Sequence, residues 1–92
     1  MDYGIRGRKA IVCASSRGLG RGCAMALAEA GCDVTINGRD AGAVSATAQE
    51  IRERFGVTVA EVVGDVSQAQ VQRELLAATP EPDILVNNNG GP

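Results

Sequence analysis

Residues 10–31 read AIVCASSRGLGRGCAMALAEAG. The aliphatic run Ala10-Ile11-Val12 leads into a glycine-containing turn, and an alanine-rich stretch follows and closes on Gly31. A short Ile/Val run of this kind, extended over residues 9–14, suits a buried strand. Leu19, Cys23, Leu27 and Ala30 recur at steps of four and three, which predicts a helix over residues 18–30. Gly31 then stands where a helix C-cap glycine belongs. Strand, tight turn and helix are the opening of a βαβ unit.

Working outward, the same alternation repeats. DVTIN at 33–37 predicts a second strand. Asp40 is placed to cap a helix whose apolar stripe runs Val44, Ala48, Ile51, Phe55 and ends at Gly56. The β-branched run at 58–63 predicts a third strand. Ser67-Gln68-Ala69-Gln70 fits a capping box for a third helix along Val71, Leu75 and Ala78, with Ser67 as N-cap. Pro80 and Pro82 stop that helix, and DILVN at 83–87 predicts a fourth strand. Strands alternating with helices at these lengths imply parallel pairing through right-handed crossovers, so the fold class is α/β. The fourth strand should lie beside the first, with the apolar Ile84-Leu85-Val86 forming an open edge.

Composition narrows the function. Of 92 residues, 45% are hydrophobic and 22% charged, as in ordinary globular chains. Aromatics make up 2%, so aliphatic and alanine packing must build the core. The net charge is -2, and the only basic run is Arg6-Gly7-Arg8-Lys9, which argues against a nucleic-acid partner. No apolar run approaches membrane-spanning length and the N-terminus lacks a secretory pattern, so a cytoplasmic location without a membrane partner is expected. Cys13, Cys23 and Cys32 fall in apolar segments at spacings unlike a zinc site, and reduced, buried thiols are expected. With no histidine in the chain, histidine triads and histidine metal sites are set aside, and no metal ligand set is assigned.

The turn between the first strand and the first helix carries the chemistry. Backbone N–H groups at a helix N-terminus offer partial positive charge to a diphosphate, and glycine lets the phosphate approach without a Cβ in the way. The fingerprint G-x-G-x-x-G is met at Gly18 and Gly20, while its third glycine falls on Cys23. On spacing alone, a strand-to-helix turn that needs glycine only for its backbone reads equally well.

A gapless alignment favours the first reading. Cys13-Ala14-Ser15-Ser16-Arg17-Gly18-Leu19-Gly20 matches the loop T-G-x-x-x-G-x-G of the short-chain dehydrogenases/reductases, and the chain resembles that family from about Gly7 to Gly90. Cys13 stands for the threonine and Ala14 for the first glycine. An alanine there is expected to require a negative φ and room for its methyl group. After the second strand, Gly38 occupies the position where NAD-dependent members of the family carry an acidic residue, and Arg39 follows at once. A carboxylate there repels a 2′-phosphate, whereas a guanidinium pairs with it through a fork of donors. The resemblance therefore implies NADP(H), with Arg39 on the 2′-phosphate and Arg17 and Asn37 as helpers. Asp65-Val66 match the family's pair beside the adenine ring, and Asp65 is also placed to assist the third helix. Asn87-Asn88-Asn89-Gly90 match N-N-A-G, with Asn89 in place of alanine, near the adenosine ribose.

What the resemblance implies is a Rossmann-type, doubly wound parallel sheet in strand order 3-2-1-4, with residues 1–92 as the N-terminal part of one NAD(P)-binding domain. The family's catalytic serine and Tyr-x-x-x-Lys pair fall after N-N-A-G. Tyr3 and Lys9, the only tyrosine and lysine, precede or open the first strand and cannot form that pair. Ser15 and Ser16 belong to the phosphate loop, with no histidine or lysine base nearby. No catalytic residue is therefore assigned within 1–92. The implied activity is an NADP-dependent reductase of a small carbonyl compound, or oxidation of a secondary alcohol, with acyl-carrier-protein 3-oxoacyl thioesters as first candidates. The intact protein is expected to be a homodimer or homotetramer. The alternative is a catalytically silent dinucleotide-binding module or sensor of the same fold.

Overall fold

The computed structural model describes residues 7–14 and 18–87. The order is β1 (Lys9–Val12), α1 (Gly18–Glu29), β2 (Asp33–Gly38), α2 (Ala41–Phe55), β3 (Val59–Val63), α3 (Ala69–Ala78) and β4 (Ile84–Val86). The four strands form one parallel sheet in the order β3-β2-β1-β4. This is the expected α/β topology. Strand ends differ from the sequence reading by one or two residues: β1 stops at Val12, because the chain turns at Cys13 and Ala14.

The sheet is covered on both faces, and the period of two along each strand sorts the residues. Ala10, Val12, Val34, Ile36 and Val59 pack with Ala24 and Ala28 of α1 and Val44, Ala48 and Ile51 of α2. On the opposite face Ile11, Cys13 and Val62 pack with Val71 and Leu75 of α3. Helices on both faces make the sheet doubly wound, and central strands buried on both sides read as near-continuous apolar runs.

α2 forms where its local signals place it. The Asp40 carboxylate accepts from the amides of Gly42 and Ala43 at 2.9 and 3.3 Å. Arg52 and Arg54 lie in the last turn, where cations suit the helix dipole, and Gly56 closes it in the left-handed region at φ 68°. α1 ends in a Schellman turn: the Cys32 amide donates to Leu27 O and the Gly31 amide to Ala28 O, both at 3.0 Å, with Gly31 at φ 98°.

α1 nevertheless presents a different face from the one its larger side chains suggest. Gly20, Ala24 and Ala28 are buried, while Leu19 is 83% exposed and Cys23 is exposed. A helix lying close on a sheet seats its smallest residues at the contact, and this close approach overrides the stripe of bulkier residues. The expectation of a buried thiol therefore holds for Cys13 and Cys32 and is corrected for Cys23.

The start of α3 is also corrected. Its N-cap is Gln68, which makes no side-chain cap hydrogen bond, so the capping box predicted on Ser67 does not form. Ser67 instead turns back to Asp65, whose Oδ1 accepts the Ser67 amide at 2.9 Å. This Asx turn orders the chain just ahead of the helix. At the far end, the Thr79 amide closes the helix on Leu75 O at 3.0 Å, and its hydroxyl pairs with that of Thr35 of β2 at 2.6 Å, both residues being buried.

Candidate cofactor-binding site

Parallel strands end on the same side of the sheet, so the residues following β1, β2, β3 and β4 converge there. These are Ala14, Arg39, the Gly64-Asp65-Val66 turn and Asn87. Lys9 lies at the opposite end of β1, where its amide donates to Asp83 Oδ2 at 2.9 Å and fastens the start of β4.

Asn37 organises this edge. It is the last side chain of β2 before Gly38, and it is 2% exposed. Its Oδ1 accepts the Ala14 amide at 3.0 Å, and its Nδ2 donates to the carbonyls of Val62 and Gly64, each at 3.1 Å. One amide group thus ties the turn after β1 to the turn after β3 across β2. The Gly64 amide completes the join by donating to Gly38 O at 2.8 Å. Asn37 was expected as a helper at a 2′-phosphate. In the structure its side-chain amide engages the backbone of Ala14, Val62 and Gly64 and so positions the turns that flank the site.

Gly64 permits the approach of α3. It sits at φ 143°, and a Cβ added there would meet Val71 Cγ2 at 2.6 Å. From Gly64 the chain passes to Asp65, whose carboxylate takes the Ser67 amide and, through Oδ2, faces Arg39 Nη2 at 3.4 Å. The Ser67 backbone N–H, then its side-chain hydroxyl, then the Arg39 guanidinium hold the Asp65 carboxyl below the usual carboxylate range, so it stays ionised near neutrality. Arg39 itself is 81% exposed. Val66 is half-buried, and its carbonyl accepts from Gln72 Nε2 at 2.9 Å.

Gly18 opens α1 at φ 58° with nothing within 4 Å of an added Cβ, and the first turn carries no acidic residue. Gly20 faces the sheet and Leu19 faces outward. Ser15, Ser16 and Arg17, expected in a phosphate loop, and Asn89 and Gly90 after β4, lie outside the described residues.

The family model described as short chain dehydrogenase matches residues 8–92. This chain belongs to the short-chain dehydrogenase family. Among curated relatives, an uncharacterized oxidoreductase of Bacillus subtilis is 37% identical over 98% of this chain and 34% of its own length. A 3-oxoacyl-[acyl-carrier-protein] reductase of Aquifex aeolicus is 34% identical over 98% of this chain and 38% of its own. Among solved structures, L-sorbose reductase of Gluconobacter frateurii, complexed with NADPH and L-sorbose, superposes with a TM-score of 0.90 at 34% identity, covering 99% of this chain and 36% of the other. The chain thus spans about a third of the length of the relatives it matches.

Within this short-chain dehydrogenase sheet, Ala14 departs from expectation. It adopts φ 52°, the left-handed region, rather than the negative φ thought necessary for a residue carrying Cβ. Its amide donates to Asn37 Oδ1 at 3.0 Å, the Cys13 N–H continues the ladder to Val86 O at 2.9 Å, and the left-handed φ turns the chain away from the sheet directly after these bonds. For alanine this conformation costs about 1–2 kcal/mol. Ala14→Gly is therefore expected to raise stability by roughly 0.5–1 kcal/mol, the greater freedom of unfolded glycine offsetting part of the relief. A urea denaturation midpoint that falls in the variant contradicts the strain.

Two features of the site were not read from the sequence. The close pass of Gly64 against Val71 has as its only sequence signal a glycine directly before the Asp65 turn. The contact of Arg39 with Asp65 has none, since each was considered for a separate part of a nucleotide. Among the described residues, no group of three metal-ligating side chains occurs and no helix is long and apolar enough to cross a membrane.

Proposed function

We propose that this chain forms the adenosine- and diphosphate-binding part of an NADP(H)-dependent oxidoreductase that interconverts a carbonyl compound and a secondary alcohol. The observation carrying the cofactor preference is at the end of β2: Gly38 stands where a ribose-binding carboxylate is expected for NAD, and the guanidinium of Arg39 projects into solvent beside it. The residues fit a phosphorylated dinucleotide. Gly18 leaves room at the N-terminus of α1, the first turn adds no negative charge, and Arg39 supplies a fork of donors for the 2′-phosphate. In this reading Ala14, Ser15, Ser16, Arg17, Gly18, Leu19 and Gly20 line the diphosphate, Gly38 and Arg39 take the phosphorylated ribose, Asp65 and Val66 meet the adenine, and Asn87, Asn89 and Gly90 pass beside the adenosine ribose.

When bound, the nicotinamide supplies or accepts the hydride; the residues of this chain hold the other end of the molecule and fix its reach. NADPH in the L-sorbose reductase structure supports the cofactor assignment. The activity of the Aquifex aeolicus relative supports 3-oxoacyl thioesters as a substrate class.

Arg39→Asp tests the reading in the full-length protein. It removes a charge-assisted contact and adds a repulsive one, so NADPH is expected to bind on the order of 100-fold more weakly, with NADH unchanged or improved. Titration of both cofactors by fluorescence measures this. The same NADPH-to-NADH preference before and after the substitution overturns it.

A further inference from the structure

We infer that Asp65 competes with the cofactor's 2′-phosphate for Arg39 and thereby limits how sharply the site distinguishes phosphorylated from unphosphorylated dinucleotides. This rests on the assignment of Arg39 to that phosphate. The geometry arises because β2 and β3 are adjacent and in register, with Gly38 opposite Val63, so the residues just beyond the two strand ends become neighbours. Gly38 has no side chain to separate them. Asp65 Oδ1 is taken by the Ser67 amide at 2.9 Å, and Oδ2 faces Arg39 Nη2 at 3.4 Å.

The two partners differ in exposure. Asp65 is held by the Asx turn, and its side chain is 36% exposed, whereas the Arg39 side chain is 81% exposed. An exposed pair of this kind is weak and separates readily. A 2′-phosphate brings a charge of about −1.5 to −2 at neutral pH to the same guanidinium. The guanidinium has donors enough to serve both anions, but doing so holds a carboxylate and a phosphate on one cation, and their repulsion is subtracted from the gain. An unphosphorylated ribose meets no such repulsion. The carboxylate therefore weakens NADPH binding and leaves NADH untouched by this effect. Any loss of an adenine contact from altering Asp65 falls on both cofactors alike and cancels in their ratio.

Asp65→Asn removes the charge and keeps an oxygen to accept the Ser67 amide. Dissociation constants for NADPH and NADH, measured on the full-length protein at low ionic strength, are expected to show the NADPH preference rising about three- to tenfold. The increase should shrink in high salt. Asp65→Ser, which also retains a short acceptor, is a second variant expected to move the ratio the same way. Arg39→Ala is measured alongside and is expected to lower the ratio. If Arg39→Ala leaves the ratio unchanged, the assignment of Arg39 fails and the competition falls with it. If Arg39→Ala lowers the ratio while both Asp65 variants leave it unchanged or lower it, the arginine assignment stands and the competition is overturned.

Discussion

Gly64→Ala is expected to lose about 3–5 kcal/mol of folding stability, enough to remove most of the margin of a small domain. Two costs combine. At φ 143° the backbone lies in a region that residues carrying a Cβ rarely adopt, at a cost of about 1–3 kcal/mol. The added Cβ would also stand 2.6 Å from Val71 Cγ2, forcing α3 away from the sheet or Val71 out of its rotamer. Val71 is β-branched and 4% exposed, so neither movement is easy, and overpacking of this sort costs about 1–3 kcal/mol more. Thermal denaturation of the single variant and of Gly64→Ala combined with Val71→Ala separates the two costs. Some of the clash should disappear in the double variant, whereas the backbone strain remains. A single variant that melts with the parent would show that α3 yields without cost, and the account of this turn would be wrong.

Asn37→Ala is expected to cost about 3–4 kcal/mol and to loosen the candidate site. Three hydrogen bonds disappear at once, leaving the Ala14 amide and the carbonyls of Val62 and Gly64 without this partner at a largely buried junction. Each group left unsatisfied costs about 1–3 kcal/mol, reduced where water reaches the turn. Asn37→Asp is the sharper control. A carboxylate still accepts the Ala14 amide but offers no donor to the two carbonyls and brings negative charge against them. It should therefore destabilise at least as much as alanine at neutral pH. Hydrogen exchange provides a local readout: the Ala14 amide is expected to lose protection in Asn37→Ala but keep it in Asn37→Asp, while the Gly64 amide, which donates to Gly38 O in the turn that Asn37 holds, loses protection in both. Full protection of the Ala14 amide in Asn37→Ala rules out Asn37 as the tie between these turns.

Local signals carried most of the fold. α2 is the plainest case: Asp40 caps it, Gly56 ends it, and Val44, Ala48 and Ile51 are the buried stripe that their spacing predicts. The strands are legible because burial on both faces leaves continuous runs of aliphatic residues, as at Ala10-Ile11-Val12. α1 was legible as a helix but not in its rotation about its axis. Choosing the stripe by side-chain size selected Leu19 and Cys23, whereas contact distance selected Gly20, Ala24 and Ala28. α3 shows the same division, its Val71 and Leu75 face following from periodicity while its start depended on where the Ser67 amide turned.

The candidate site divides in the same way. The residues that border it follow from the order of strands and turns, since every strand of a parallel sheet delivers its next residue to one edge. What those residues do there depends on partners remote in sequence. Asn37 reaches Ala14, Val62 and Gly64 across separations of 23, 25 and 27 residues, and Arg39 meets Asp65 only because β2 and β3 are in register. Sequence alone determined the alternation of elements, the parallel sheet and the edge at which the turns after the strands gather, because these depend on periodicity and on turn chemistry within a few residues. Tertiary structure decided which face of α1 is buried, which asparagine atoms are committed to the scaffold and which carboxylate faces the arginine. Those outcomes depend on distances between segments, and no local pattern encodes them.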